Sequence, residues 1–123
     1  MIRILFAALV MPALTSTCKK QNNTEWLEGK VVRTSCASTV IQVLNNNALG
    51  QDGWKDMSNN NVTYDNVFTA NNKCSIPWGV KAGNTIRFKI DKPWPNDCIV
   101  CMMYDGPPEV KYDIKEITVI SAK

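Results

Sequence analysis

The sequence contains no histidine among its 123 residues. Without an imidazole, the chain cannot form a Ser-His-Asp or Cys-His nucleophilic arrangement or a metal site with histidine ligands. Asp65, Asp91, Asp97 and Asp105 flank turns, and their spacing indicates neither a calcium site nor the paired carboxylates of a glycosidase. We therefore expect a protein that is not an enzyme, with no cofactor and no metal.

A marked excess of charge of one sign is also absent. The chain carries 14 Lys and Arg against 11 Asp and Glu, a formal net charge of +3. The two signs are interspersed, so the sequence lacks the basic stripe that is typical of nucleic-acid-binding proteins. We expect no nucleic-acid partner.

A long hydrophobic run is the third absence. The longest apolar segment, residues 4–14, is well short of the roughly 20 residues that cross a bilayer as a helix. It follows Arg3 and leads through Thr15-Ser16-Thr17 into Cys18, which is the pattern of a secretory signal peptide. We expect residues 1–17 to be removed. The alternative, a buried helix, is disfavoured because a polar, lysine-containing segment follows at once.

Residues Leu14-Thr15-Ser16-Thr17-Cys18 resemble the lipobox, where the signal peptide of a bacterial lipoprotein is cut before a cysteine. The usual pattern has Leu and a small Gly or Ala at the positions held here by Thr15 and Thr17. The resemblance implies that Cys18 carries the lipid and that residues 18–24 form a tether to the membrane. Lys19 rather than Asp follows the cysteine, which resembles lipoproteins of the outer membrane. No acidic run signals surface display, so we expect the periplasmic leaflet.

The cysteine count supports this interpretation. Five cysteines in an exported chain leave one without a disulfide partner, and lipidation of Cys18 accounts for it. The remaining four predict two disulfides, because exported proteins mature in oxidising compartments. A zinc site is disfavoured, since only Cys98 and Cys101 form a closely spaced pair.

The pairing of these four cysteines depends on the backbone between Cys98 and Cys101. If residues 98–104 form a strand, the two lie about 10 Å apart, too far for a disulfide. Each then bonds to a remote partner. The order of pairing is open from the sequence, and we favour Cys36–Cys101 and Cys74–Cys98.

Several short segments have the composition or alternation of strands. They are residues 26–34, 39–44, 66–70, 85–90, 98–104 and 112–121, with 74–78 as a candidate for brief pairing. Residues 45–65 are polar and predict a functional loop or a loop with a short helical turn.

The last predicted strand changes parity along its length. A β-bulge near Lys115-Glu116 would bring Tyr112, Ile114, Ile117 and Val119 to one side. This bulge and the order of short strands are similar to an all-β, OB-like antiparallel barrel of five to six strands. We expect residues 25–123 to form this single domain. The alternative is an immunoglobulin-like sandwich, although no Cys-Trp-Cys spacing supports it.

Four aromatic residues lie in or near predicted turns, where their rings could contact a ligand. They are Trp54, Trp78, Trp94 and Tyr64. The alternative, which we favour, is that such rings pack against the ends of a small barrel.

Together these features predict a membrane-anchored, exported module that binds an unknown protein or carbohydrate without catalysis. One alternative is an exported thiol–disulfide oxidoreductase that uses Cys98 and Cys101. A bond between these two at the start of a helix would favour that redox function. A second alternative is a small inhibitor or immunity-type protein.

Overall fold

The computed structural model describes residues 25–93, 95 and 98–122. The expected signal peptide (residues 1–17), the tether (residues 18–24) with Cys18, and Trp94 lie outside the described residues. No helix in the described ranges is long and apolar enough to span a membrane.

Five strands form a closed barrel, and two further strands form a hairpin. The barrel strands are β1 (Leu27–Thr34), β2 (Thr39–Val43), β5 (Val67–Ala70), β6 (Thr85–Asp91) and β7 (Lys111–Ser121), and the hairpin consists of β3 (Trp54–Asp56) and β4 (Val62–Tyr64).

The order around the barrel is β1-β2-β5-β7-β6. Neighbouring strands are antiparallel, with the exception of β5 and β7, which run parallel. This is the all-β, OB-like barrel that the sequence predicts, with one parallel pair that it did not predict. The described residues form this barrel rather than the two-sheet sandwich that was the alternative.

Alternating side chains fill the interior of the barrel. Along β1 every second residue is buried up to Val31, as expected for a strand with one face toward the core. The rings of Phe68 and Phe88 meet in the centre, with centroids 5.8 Å apart. Gly29 leaves room for this packing, because a Cβ at that position would lie 2.6 Å from Ile41 and 2.9 Å from Phe88. The barrel closes around this apolar core, and its burial is the main force that stabilises the fold.

The predicted β-bulge in β7 is confirmed. Between the Arg87–Thr118 and Lys89–Lys115 pairs, β7 contains one more residue than β6. Glu116 in this interval adopts a left-handed φ of 52°. The extra residue reverses the side-chain parity of the strand.

The bulge turns most of the predicted side chains toward the core. Ile114 is buried, and Tyr112 and Ile117 pack against the core as partly buried residues. Val119 pairs with the buried Ile86 and so lies on the predicted side of the strand, although its own side chain is 42% exposed. The reason is the limited length of the neighbouring strand, because β5 pairs with the start of β7 at Lys111 and Tyr112, far along the strand from Val119.

Residues 45–65 contain the β3–β4 hairpin, where the sequence predicted a loop or a helical turn. Strands of three residues are too short to produce a recognisable alternation. Asn60 in the connecting turn has a left-handed φ of 50°, a conformation that asparagine adopts more readily than most residues. The hairpin lies on the outside of the barrel, where Trp54 packs with Val40 of β2 and Val67 of β5.

The strand predicted for residues 98–104 is wrong, because this segment has irregular backbone. A strand needs a neighbour for its backbone hydrogen bonds, whereas β6 and β7, which flank the segment, pair directly with each other. The connection therefore leaves the barrel as a loop. Residues 74–78 also form no strand, and Lys73–Ser75 is a short 3-10 helix.

Candidate interaction surface

Two disulfides join the β6–β7 loop (residues 92–110) to two other loops. Cys101 is bonded to Cys36 in the β1–β2 loop, and Cys98 is bonded to Cys74 in the 3-10 helix. The Cα separations are 5.5 and 5.6 Å. This is the pairing that the sequence analysis favoured, although a loop rather than a strand separates the two cysteines. Two disulfides are typical of proteins from exported, oxidising compartments.

A buried ion network connects the β6–β7 loop to β1 and to the β3–β4 hairpin. Arg33 at the end of β1 lies 3.1 Å from Asp56 of the hairpin and 3.2 Å from Asp105 of the loop. The side chains of Arg33 and Asp56 are 8% and 2% exposed. Asp105 also accepts a hydrogen bond of 3.0 Å from the Ser38 hydroxyl, and it accepts another from Ser35. One guanidinium group therefore connects the barrel, the hairpin and the loop.

Trp54 reinforces this connection on the hairpin side. The guanidinium carbon of Arg33 lies 5.0 Å from the centre of the Trp54 ring, within the range of a cation–π interaction. The indole N–H of Trp54 donates a 2.9 Å hydrogen bond to the carbonyl of Gly106 in the β6–β7 loop. The loop is thus attached at both its disulfides and its barrel-proximal end.

The ionisation of the network follows from its partners. Burial by itself raises the pKa of Asp56, but the hydroxyl and backbone N–H of Ser58, together with Arg33, hold that pKa below its usual value. Burial lowers the pKa of Lys73, and the nearby carboxylate of Asp105 offsets part of that effect. Lys73 donates to the carbonyl of Ser35. Asp56 is therefore a carboxylate at neutral pH and provides a buried countercharge for Arg33.

On its outer side the β6–β7 loop presents a group of uncharged residues that we name the apolar loop surface: Ile99, Val100, Met102, Met103 and Tyr104. The side chains of Ile99, Met102 and Tyr104 are 94%, 103% and 84% exposed. Single exposed apolar residues are common, but a contiguous group of large ones marks an interaction site. Since two disulfides hold this segment, its exposure is a fixed feature of the fold.

A shallow, open pocket of about 220 Å³ lies within the apolar loop surface. Ala37 of the β1–β2 loop, residues 100–105 and Pro107 line it. The lining is mostly apolar. A hydrocarbon group therefore fits this pocket better than a charged one, because a charge would lose its water without gaining a partner.

Among the candidate aromatic residues that the structure describes, Trp54, Tyr64 and Trp78 do not form one site. Trp54 is buried, and Tyr64 packs beside it with ring centroids 6.1 Å apart, so both have a packing role in the hairpin. Trp78 is fully exposed, four residues after Cys74 in the β5–β6 loop. Trp94 lies outside the described residues. Of the three that are described, Trp78 presents an open ring, in the loop that carries Cys74.

The β3–β4 hairpin also changes which part of the barrel is free. OB-type barrels commonly bind ligands on the face of the second and third barrel strands and on the loops beside it. Here that face belongs to β2 and β5, and Trp54 of the hairpin covers Val40 and Val67 on it. The β6–β7 loop, which carries the apolar loop surface, and the neighbouring β1–β2 loop are not covered by the hairpin in this way.

The sequence analysis missed both the ion network and the apolar loop surface. Residues 98–104 contain only apolar side chains, two cysteines and one tyrosine, which is also the composition of a buried strand. The signal that could have distinguished an exposed loop from a buried strand is the strand-breaking residues on both sides of the segment. They are Pro93, Pro95 and Gly106-Pro107-Pro108. Arg33 gives no signal in the sequence, because its partners are 23 and 72 residues away.

Comparison with protein-family models and with curated protein sequences finds no match for this chain. Within the described ranges, no group of three or more His, Cys, Asp or Glu side chains is arranged to hold a metal ion.

Proposed function

We propose that this chain is an exported, lipid-anchored interaction module without catalytic activity. After removal of residues 1–17, Cys18 carries the lipid and residues 18–24 connect it to the barrel. The protein resides at the periplasmic leaflet of a bacterial outer membrane, and the apolar loop surface is its contact surface.

The rigid exposure of the apolar loop surface carries this proposal. Keeping Ile99, Met102 and Tyr104 in water forgoes the stabilisation that their burial would give, about 1.5–3 kcal/mol for a large apolar side chain. Two disulfides and a buried ion network nevertheless hold these side chains outward. This arrangement supports a role for them in binding a partner. Because the loop is already ordered, binding costs less conformational entropy than it would for a flexible segment.

The redox alternative has less support. A thiol–disulfide oxidoreductase of the C-x-x-C type cycles between two thiols and a bond between those same two cysteines. In this fold Cys98 and Cys101 are each bonded to a different loop, and neither lies at the start of a helix. The four cysteines fit a structural role.

Lipid anchoring is tested by replacing Cys18 in the full precursor. In a bacterial host we expect the unaltered chain to incorporate radiolabelled palmitate and to sediment with membranes. The comparison chain carries Cys18→Ser and has residues 1–17 replaced by an ordinary secretory signal peptide, because a lipoprotein signal peptide is not cut without its cysteine. It should lose the label and appear in the soluble periplasmic fraction. An unaltered chain that is never labelled, or a comparison chain that stays in the membrane fraction, would contradict the anchor.

The contact surface is tested separately by photocross-linking in cells. A photoreactive residue at Met102 should form adducts, whereas one at Lys55, which is exposed on the hairpin, should form few. Equal labelling from both positions, or none from Met102, would show that the apolar loop surface is not the contact surface. The chemical nature of the Met102 adduct, lipid or protein, also identifies the partner.

A further inference from the structure

We infer that the apolar loop surface docks onto the lipid bilayer itself, as a second attachment beside the lipid on Cys18. This inference rests on the lipid anchoring proposed above and names the partner of the same surface. Three observations carry it: the shape and chemistry of the surface, the absence of charged side chains from residues 98–104, and the short length of chain between Cys18 and the barrel.

The shape of the surface suits a fluid lipid bilayer better than a protein with a fixed surface. Ile99, Met102 and Tyr104 are 94%, 103% and 84% exposed, so they project from the loop as separate side chains. A protein partner would need a matching set of pockets for them, whereas the boundary between headgroups and acyl chains admits projecting side chains without a preformed shape. Aliphatic side chains beside an amphipathic aromatic ring are typical of segments that enter this boundary.

The surface itself carries no charge that would oppose a membrane. Residues 98–104 carry no charged side chain. Asp105, the acid that directly follows them, borders the pocket, but its carboxylate is mostly buried, pairs with Arg33 at 3.2 Å and accepts a hydrogen bond from Ser38. A free carboxylate at this position would be repelled by anionic headgroups, and the buried network removes that repulsion.

The tether keeps the domain close to the bilayer. Seven residues, 18–24, connect the expected lipid site to the described domain. Even fully extended they span at most about 25 Å, less than the diameter of roughly 30 Å expected for a domain of this size. The domain is therefore held at a high effective concentration beside the membrane, so a weak affinity of the loop for lipid suffices for docking.

The test measures the intrinsic affinity of the loop, without the anchor. The mature chain with Cys18→Ser and both disulfides formed is mixed with vesicles of phosphatidylethanolamine and phosphatidylglycerol, and the bound fraction is measured by flotation. We expect half-saturation at accessible lipid concentrations on the order of 1 mM, because a few side chains bury less hydrocarbon than one acyl chain does. Binding should persist in 0.5 M salt, because the contact is apolar.

Two sets of substitutions locate the contact. Ile99→Ser, Met102→Ser and Tyr104→Ser combined should reduce the lipid affinity by at least about tenfold. The control, Val119→Ser with Ile120→Ser, removes exposed apolar side chains from β7, outside the apolar loop surface, and should bind as the parent chain does. Circular dichroism and disulfide mapping establish that each variant is folded.

Three outcomes would overturn the inference. They are a parent chain that does not bind at 10 mM lipid, a triple variant that binds as well as its parent, and binding that disappears in salt or requires anionic lipid. A protein adduct without a lipid adduct from the photoreactive residue at Met102 would also overturn it and would assign the surface to a protein partner. Each of these results is independent of the Cys18→Ser fractionation, which tests the anchor alone.

Discussion

Replacing Arg33 by methionine tests the claim that one buried guanidinium connects the barrel, the hairpin and the β6–β7 loop. Methionine has a similar length and fills much of the same space, but it cannot pair with a carboxylate. The substitution leaves the Asp56 side chain, 2% exposed, and the Asp105 side chain, 14% exposed, without their countercharge. Both lose an ionic contact, at 3.1 and 3.2 Å.

The expected loss follows from the burial of the stranded charges. Removing one partner of a buried ion pair typically costs about 3–5 kcal/mol, because the remaining charge has neither water nor a partner. A domain of this size is stable by only about 5–15 kcal/mol. Arg33→Met should therefore lower the free energy of unfolding by about 3 kcal/mol or more at pH 7. Arg33→Lys should lose less, since it keeps the charge but loses the planar fork and its contact with Trp54.

The dependence of this loss on pH identifies its cause. In the unaltered fold the pKa of Asp56 is lowered, so its ionisation stabilises the protein above the unfolded pKa of about 4 and this contribution disappears as the pH falls through the folded pKa. In the Arg33→Met variant Asp56 binds a proton more readily, because no cation opposes its burial. The difference in stability between variant and parent should therefore be largest at neutral pH and shrink toward pH 3–4.

Urea denaturation followed by circular dichroism, with both disulfides intact, measures this difference at each pH. A loss below about 1 kcal/mol at pH 7 would refute the reasoning, as would a loss that stays constant down to pH 3. The first result would mean that the carboxylates find water or another donor. A loss that does not change with pH would mean that the lower stability comes from altered packing at position 33 and not from the unpaired carboxylates.

Two further predictions concern cross-links and packing. Removing the disulfide that spans 65 residues, with Cys36→Ser and Cys101→Ser, should lower the free energy of unfolding by about 4 kcal/mol. Removing the one that spans 24 residues, with Cys74→Ser and Cys98→Ser, should lower it by about 3.5 kcal/mol, because the shorter loop gains less entropy in the unfolded chain. Equal or inverted losses in urea denaturation would show that native contacts outweigh loop closure. Gly29→Ala should destabilise the barrel by about 1–3 kcal/mol, because its Cβ would meet β2 and β6 side chains at 2.6 and 2.9 Å, and an unchanged melting temperature would contradict this.

The sequence predicted the barrel strands well where apolar and polar residues alternate along the strand. Alternation along residues 85–90 locates β6, and the change of parity after Ile114 locates the bulge at Glu116. Both are local signals, because the period of a strand is fixed by its backbone and one buried face suffices to reveal it.

The prediction for residues 98–104 shows where local signals end. An apolar run looks the same whether it is a buried strand or an exposed loop, because its burial depends on which strands pair around it. Here the direct pairing of β6 with β7 leaves the segment outside the barrel. The disulfide pairing that we favoured is nevertheless the one found, since Cys98 and Cys101 are each bonded to a different loop rather than to each other.

By itself the sequence determined an all-β fold, two disulfides and the absence of histidine chemistry, because each of these follows from composition, spacing or the period of a strand. Only the tertiary structure decided that the hairpin covers the outer face of β2 and β5, that Arg33 is buried between two carboxylates, and that the apolar loop surface lies open. Those features depend on contacts between residues far apart in the chain, and the free energy of burying a charge or an apolar side chain is set by the neighbours that folding brings to it.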